Sequence, residues 1–454
     1  MPVRKPAREL FTHGTLRRVR RAEGATRPAV ELLTQITREA AATGTRRLVL
    51  LSGVPGAGKT LVGLQLVHAH WLDDLSVERG GGKPAAPAVF LSGNGPLVDV
   101  LQYELRGAGG GGKVFVRGVK DYVKRYLGRD ALVPPEHVLV FDEAQRAYSR
   151  EMVAAKHKIP VESAESEPEL FVRIAERIPR WCVVLGLIGG GQEIHKGEED
   201  GIAAWRKAIE SSPGASEWSV HCPPAMARAF EGWGQVQTHP QLSLDQELRF
   251  HLTRDVHLLV AKLLDASPAR ENRPLAERLE ADGFHLRVTR DLAVARQYLR
   301  DRFAEDPERR FGIVASSRDK DLTRFRIYND FQSTKRIRFG PWYGASEDDP
   351  SEASCRLLRD CVTEFGAQGL ELDGALVAWG TDLRMREGRW DMSKARSYAR
   401  DAVPLRDPGQ LRLNSYRVLL TRGREGSVIF VPPLDELDET ASYFTESGIR
   451  SLDR

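Results

Sequence analysis

At 454 residues the chain is too long for one ordinary hydrophobic core, and two or three packed units are expected. A hydrophobic content of 41% beside 29% charged residues excludes a disordered chain, and a formal net charge of +4 excludes a molecule that is basic throughout. No apolar run is long enough to cross a bilayer, and the basic start lacks the apolar core of a signal peptide, so a soluble cytoplasmic protein with no membrane partner is expected.

Residues 1–44 form a basic arm and a helix. Arg4, Lys5, Arg8, Arg17, Arg18, Arg20, Arg21 and Arg27 stand there against Glu9 and Glu23, which suits either a phosphate-contacting arm or a solvated terminus. Continuous apolar runs then follow at "RRLVLLSG", "AVFLSG", "HVLVFDEA" and "WCVVLGLIGGG", and later at "RRFGIVASS", "GALVAWG" and "GSVIFVPP", with helical patterns between them. Runs without polar alternation predict parallel strands covered on both faces. Between the two groups, "LRFHLTRDVHLLVAKLLD" has helical spacing. The expected organisation is an α/β domain over 45–244, a helical connection over 245–305 and a second α/β domain over 306–454. Cys182, Cys222, Cys355 and Cys361 show no C-x-x-C spacing, so neither a zinc site nor a disulfide framework is indicated.

"GVPGAGKT" matches G-x-x-x-x-G-K-[ST] in the context that motif requires, after an apolar strand and before a helix. Gly53, Gly56 and Gly58 let backbone N–H groups wrap phosphates, Lys59 reaches the β and γ phosphates, and Thr60 offers a hydroxyl to magnesium. In "HVLVFDEAQRAY", Asp142 ends a strand and can hold magnesium, while Glu143 can orient or deprotonate an attacking water. Such a pair is also a common helix N-cap, and the preceding phosphate loop favours the catalytic reading. Gln145 points to the same mouth. The stretch from Gly189 to Gly201, "GGGQEIHKGEEDG", reads by itself as a flexible loop; after a phosphate loop its glycines read as clearance for a triphosphate, while the charges from Lys196 to Asp200 have no assigned role.

In this order, "GVPGAGKT", "VFDEAQ" and "GGGQEI" resemble the first three nucleotide motifs of superfamily-one helicases, "TEFGAQGLELD" the fifth and "YRVLLTRGREG" the sixth. The wording is similar to the Schlafen group 3-like DNA/RNA helicase domain over roughly residues 45 to 435. The resemblance implies two RecA-like P-loop domains, their parallel sheets flanked by helices and joined by a helical linker. It implies that Gln192 senses the γ-phosphate or the attacking water and that Arg249 meets the γ-phosphate. Glu371 would lie near the ribose or magnesium, and Arg422 would be an arginine finger from the second domain. Surface salt bridges are the alternative for Arg249 and Arg422.

Strand contacts are carried by fewer signals. "VFLSGNGPLVDVLQ" resembles a segment that meets the strand backbone, with Ser92 and Asn94 as phosphate donors, and His195 occupies the slot of a base-contacting aromatic. In "STKRIRFGPWYGAS", Lys335, Arg336 and Arg338 beside Trp342 and Tyr343 suit base stacking with backbone attraction, although a hairpin core accounts for Trp342 equally well.

The chain also departs from the superfamily pattern. Gln35 is the nearest candidate for an adenine-reading glutamine and lacks the expected surroundings. Residues 1–44 are too short for the nuclease-like region of some relatives, so a partner is expected to supply that activity if it is needed. Wedge-like inserts are not evident, which supports ATP hydrolysis more than strand separation. The expected activity is therefore magnesium- and nucleic-acid-dependent ATP hydrolysis, of helicase or translocase type, on single-stranded DNA or RNA. The alternative is an ATP-gated switch that recruits a nuclease or another effector. A P-loop kinase would need neither Glu371 nor Arg422.

Overall fold

The computed structural model describes residues 23–53, 57–68, 70–78, 85–107, 111–128, 132–146, 150, 153–154, 160, 164–189, 196–244, 249–396 and 407–453. The chain divides into two compact units, the second beginning at His251.

The first unit contains β1 (Arg46–Gly53), β2 (Ala88–Ser92), β3 (Val116–Gly118), β4 (Val138–Phe141), β5 (Cys182–Gly189), β6 (Trp218–Cys222) and β7 (Val236–Thr238). They form one sheet in the order β3-β2-β4-β5-β1-β6-β7, with every pair parallel. The apolar runs are continuous because helices cover both faces of the sheet. One face carries Leu48, Leu50, Leu139, Phe141 and Val184 against α4 (Val119–Leu127), α5 (Glu167–Arg177) and α6 (Lys196–Glu210). On the other face, α2 (Lys59–His68) comes down on Val140, Phe90 and Leu187 at Gly63, where a Cβ would sit 2.9 Å from Val140. Each fully buried aliphatic side chain of these strands contributes about 1.5–3 kcal/mol. Helix α5 begins at a reciprocal cap: Ser166 Oγ accepts from Glu169 N at 3.4 Å while the Glu169 carboxylate accepts from Ser166 N at 2.7 Å.

Helix α7 (Arg249–Leu264) carries the chain from the first unit into the second, where α8 (Ala269–Ala281) follows. Its strands are β8 (His285–Thr289), β9 (Phe311–Ala315), β10 (Cys361–Thr363), β11 (Gly374–Ala378), a β12–β13 hairpin (Arg384–Arg386, Arg389–Asp391), β14 (Gly426–Phe430) and β15 (Arg450–Ser451). The main sheet runs β10-β9-β11-β14-β8-β15, again parallel throughout. Helices α9 (Leu292–Arg302), α10 (Pro408–Leu420) and α11 (Asp438–Glu446) complete it. Helix α10 starts where Asp407 Oδ1 accepts from Gln410 N at 2.8 Å, with Pro408 at its first position.

All seven apolar runs form strands. The stretch 245–305, expected to be a helical connection, instead contributes α8, β8 and α9 to the second unit, and β8 lies inside its sheet between β14 and β15. The sequence "HLRVT" hides this strand because His285 and Arg287 alternate with the apolar positions and are only half-buried. No helix among the described residues is long and apolar enough to cross a membrane.

Candidate nucleotide-binding and hydrolysis site

Strand order builds this site. β5 lies between β1, which leads into the phosphate loop, and β4, which ends at the acidic pair. Its register sets Gly53 directly beside Gly189, so the phosphate loop and the glycine triplet leave the sheet side by side. On the other flank, Phe141 pairs with Gly186, which puts Asp142 and Glu143 just beyond the same C-terminal edge. Ligands of open parallel sheets bind at this edge, where loops diverge and helix N-termini point inward.

Gly58 has φ +95°, a conformation that side chains resist, and its α-carbon faces Thr26 of α1 (Glu23–Thr43), whose Cγ2 lies 2.9 Å from where a Cβ would be. Lys59 and Thr60 are the first two residues of α2, so the Thr60 hydroxyl and the backbone N–H groups of the first turn stand at the positive end of the helix dipole. Lys59 Nζ donates to Gly53 O at 2.6 Å, which brings the ammonium back to the end of β1.

Asp142 is buried, and Ser92 Oγ donates to its Oδ2 at 3.2 Å. Burial and then the charge of Glu143 push the Asp142 carboxyl up to about 7, opposed by the Ser92 hydrogen bond and the Lys59 charge. Burial and a second carboxylate beside it make the charge on Asp142 costly despite Lys59, and a further cation there would offset that cost. The hard oxygen donors of Asp142 and Thr60 suit magnesium, so the residues present fit the ion that the phosphate loop implies.

Glu143 adopts φ 56°, the left-handed region, as the chain turns out of β4. Gln145 secures it there. Its Nε2 donates to Glu143 Oε2 at 2.7 Å, and its Oε1 accepts from Gly189 N at 2.9 Å. A Cβ on Gly189 would lie 2.8 Å from that Nε2. A side chain at Gly189 would therefore displace the Gln145 amide, which ties the acidic turn to the end of β5. Trp205 of α6 supports the same turn, its Nε1 donating to Ala144 O at 3.1 Å. The sequence marked Gln145 only by position; its bridging role follows from strand order, and nothing in the sequence marked Trp205.

Several expected site residues are placed differently. Ser92 is not a strand donor: it is 2% exposed and its hydroxyl holds Asp142. Asn94 caps α3 (Gly95–Gly107), its Oδ1 accepting from Leu97 N at 3.4 Å while its own N donates to Ser92 Oγ at 3.1 Å. Trp342 and Tyr343 are not a stacking surface. They lie in a helical turn, Phe339–Gly344, with Trp342 at 1% exposure against Gly312 of β9 and Tyr343 donating to Glu371 O at 2.7 Å. Arg338, just before that turn, is exposed. Gln35 is exposed on α1 and donates to Glu39. Gly56, Gln192 and His195 lie outside the described residues, as does the basic arm through residue 22, and of Arg249 only the backbone at the start of α7 is described.

Within the second unit, the fifth- and sixth-motif residues come together. Arg422 Nη1 donates to Ala367 O at 3.3 Å and Leu370 O at 3.2 Å, and its Nε to Val418 O at 2.9 Å. Glu371 pairs with Arg424 at 3.3 Å, and Leu372 bridges to Gly423. Burial, then the charges of Arg422 and Arg417, push the His257 imidazole down to about 4, so no further cation forms beside them near neutral pH.

The two parallel α/β units and the phosphate loop together define a helicase-like P-loop protein of RecA-like architecture. The sequence matches the Schlafen group 3, DNA/RNA helicase domain over residues 46–433, and the chain belongs to that family. No curated protein matches it. Among solved structures, the helicase domain of Pyrococcus furiosus Hef aligns with 91% of this chain and 97% of its own, at 12% identity and a TM-score of 0.30. Dbp5 of S. cerevisiae, bound to RNA and ADP BeF3, aligns with 90% of this chain and 84% of its own at 11% identity and a TM-score of 0.29. The DUF1998 helicase MrfA, bound to DNA and AMPPNP, aligns with 89% of this chain and 49% of its own at 10% identity and a TM-score of 0.31.

Proposed function

We propose that this protein is a magnesium-dependent ATPase of helicase or translocase type, stimulated by single-stranded DNA or RNA. The observation that carries the reading is the convergence at one sheet edge of Lys59, Thr60, Asp142 and Glu143, with Gln145 fixing Glu143 to the end of β5. Lys59 and the N–H groups of the loop bind the β and γ phosphates, and Thr60 and Asp142 hold magnesium, which neutralises charge on the transferring phosphoryl group. Glu143 orients the attacking water and takes its proton. Gln192 acts at the γ-phosphate or the attacking water, Arg249 and Arg422 at the γ-phosphate, and Glu371 near the ribose or magnesium, as the family resemblance implies.

ATPase assays with and without single-stranded oligonucleotides of increasing length test the reading. A translocating enzyme accelerates with strand length. Hydrolysis that ignores every oligonucleotide refutes it in favour of an ATP-gated switch acting on a nuclease or another effector.

A further inference from the structure

Large apolar side chains are rarely exposed among the described residues, and the aromatic ones that are, Tyr328, Phe331 and Phe365, all follow β9 or β10 beyond the C-terminal edge of the second sheet. Phe331 is 71% exposed and Tyr328 53%, although the backbone beneath them is firmly held. Asn329, between them, is buried and donates to Ser316 O at 2.6 Å and Asp319 O at 3.1 Å. Asp330 caps the turn Phe331–Thr334, accepting from Gln332 N at 3.0 Å, Ser333 N at 3.1 Å and Ser333 Oγ at 2.6 Å. That turn packs on β10, and Ser317 is tied to Glu364 at the end of β10 by two bonds of 2.8 Å. Two rings are thus fixed in water on a scaffold that resists collapse.

Charge identifies what they meet. From Arg318 to Arg338 seven basic residues stand against three acidic ones. Asp319 is buried, Asp321 faces Arg324 and Thr381, and Asp330 is occupied in its cap. Arg326, Lys335, Arg336 and Arg338 are exposed and form no ion pair among the described residues. Lys335 Nζ lies 5.8 Å from the Phe331 ring centroid, so a cation stands at the ring itself. Isolated rings with unpaired cations close by in the chain do not make the continuous apolar patch of a protein interface. They match a flexible polyanion with flat faces.

We propose that Tyr328 and Phe331, with Lys335, Arg336 and Arg338, form a docking surface for single-stranded nucleic acid, on which the rings stack bases and the cations follow the backbone. This rests on the nucleic-acid part of the proposed function. The surface needs no nucleotide, because the backbone that carries the rings is already held in place by Asn329 and Asp330.

Fluorescence anisotropy of the full chain with a labelled single-stranded oligonucleotide, without ATP, tests it alongside an abasic strand of equal length. Phe331→Ala and Tyr328→Ala, both at exposed positions, are expected to weaken binding of the base-containing strand about five- to hundredfold each, and to leave the weaker binding of the abasic strand unchanged. Wild-type binding that neither variant alters, or an equal loss on both strands, overturns the docking surface and leaves the ATPase reading intact. Failure of the wild-type protein to bind any strand overturns the nucleic-acid reading itself, and the surface with it.

Discussion

Gly189 and Gln145 occupy one space, and the chemistry of the site depends on that fit. A methyl group at Gly189 meets Gln145 Nε2 at 2.8 Å and must displace it, releasing Glu143 from its anchor. We expect Gly189→Ala to lower kcat by about a hundredfold, the scale of a misplaced catalytic group, while ATP binding is retained. Steady-state hydrolysis and binding of a labelled nucleotide measure the two effects separately. Glu143→Gln keeps the shape and loses the base, so nucleotide binding persists and turnover falls about 10²- to 10⁴-fold. In the proposed mechanism Lys59 faces the phosphates, so Lys59→Ala is expected to abolish turnover by weakening nucleotide binding itself, which the same binding assay reports. A Glu143→Gln protein that hydrolyses ATP normally would remove Glu143 from the mechanism.

Elements of the first unit are joined by side chains that the motifs do not include. One such joint is pH-sensitive. His221 of β6 is buried, and its Nδ1 lies 3.1 Å from Nε2 of His239, just after β7; one ring must donate and the other accept. Burial, then the charges of Arg47 and His239, push His221 down to about 4, with Glu39 opposing, and burial lowers His239 as well. A histidine held neutral in the folded state stabilises fully above its unfolded value of about 6.5, and that stability is lost as pH falls from there toward about 4. Thermal unfolding is expected to show Tm falling between pH 6.5 and 4, and His221→Phe to flatten the slope. An unchanged slope would place the acid sensitivity elsewhere. At this scale the sequence was legible where strands are buried on both faces, because such strands are uniformly apolar. It hid β8, which is only half-buried and alternates, and the three-residue strands β3, β7 and β10, which are too short to show a period.

For the whole molecule, the proposed mechanism makes hydrolysis depend on both units. The Arg422 guanidinium is held by backbone carbonyls of its own unit, so Arg422→Ala is expected to leave the first unit's nucleotide binding unchanged. Its turnover should fall about 10³- to 10⁵-fold, the range for a missing arginine finger. Undiminished hydrolysis would sink the assignment of that residue to the nucleotide.

The sequence alone determined the class of fold and carries the motif on which the proposed nucleotide chemistry rests, since a phosphate loop needs its glycines, lysine and hydroxyl at fixed spacing along one short segment. Local chemistry of that kind is written locally. Tertiary structure decided which residues serve the site from a distance. Ser92 supports Asp142, and Gln145 spans from the acidic turn to Gly189, because β2, β4 and β5 are neighbours in space and far apart in the chain. It likewise decided between the aromatics: Trp342 and Tyr343 sit in the core while Tyr328 and Phe331 stand in water, a distinction of burial that composition cannot express.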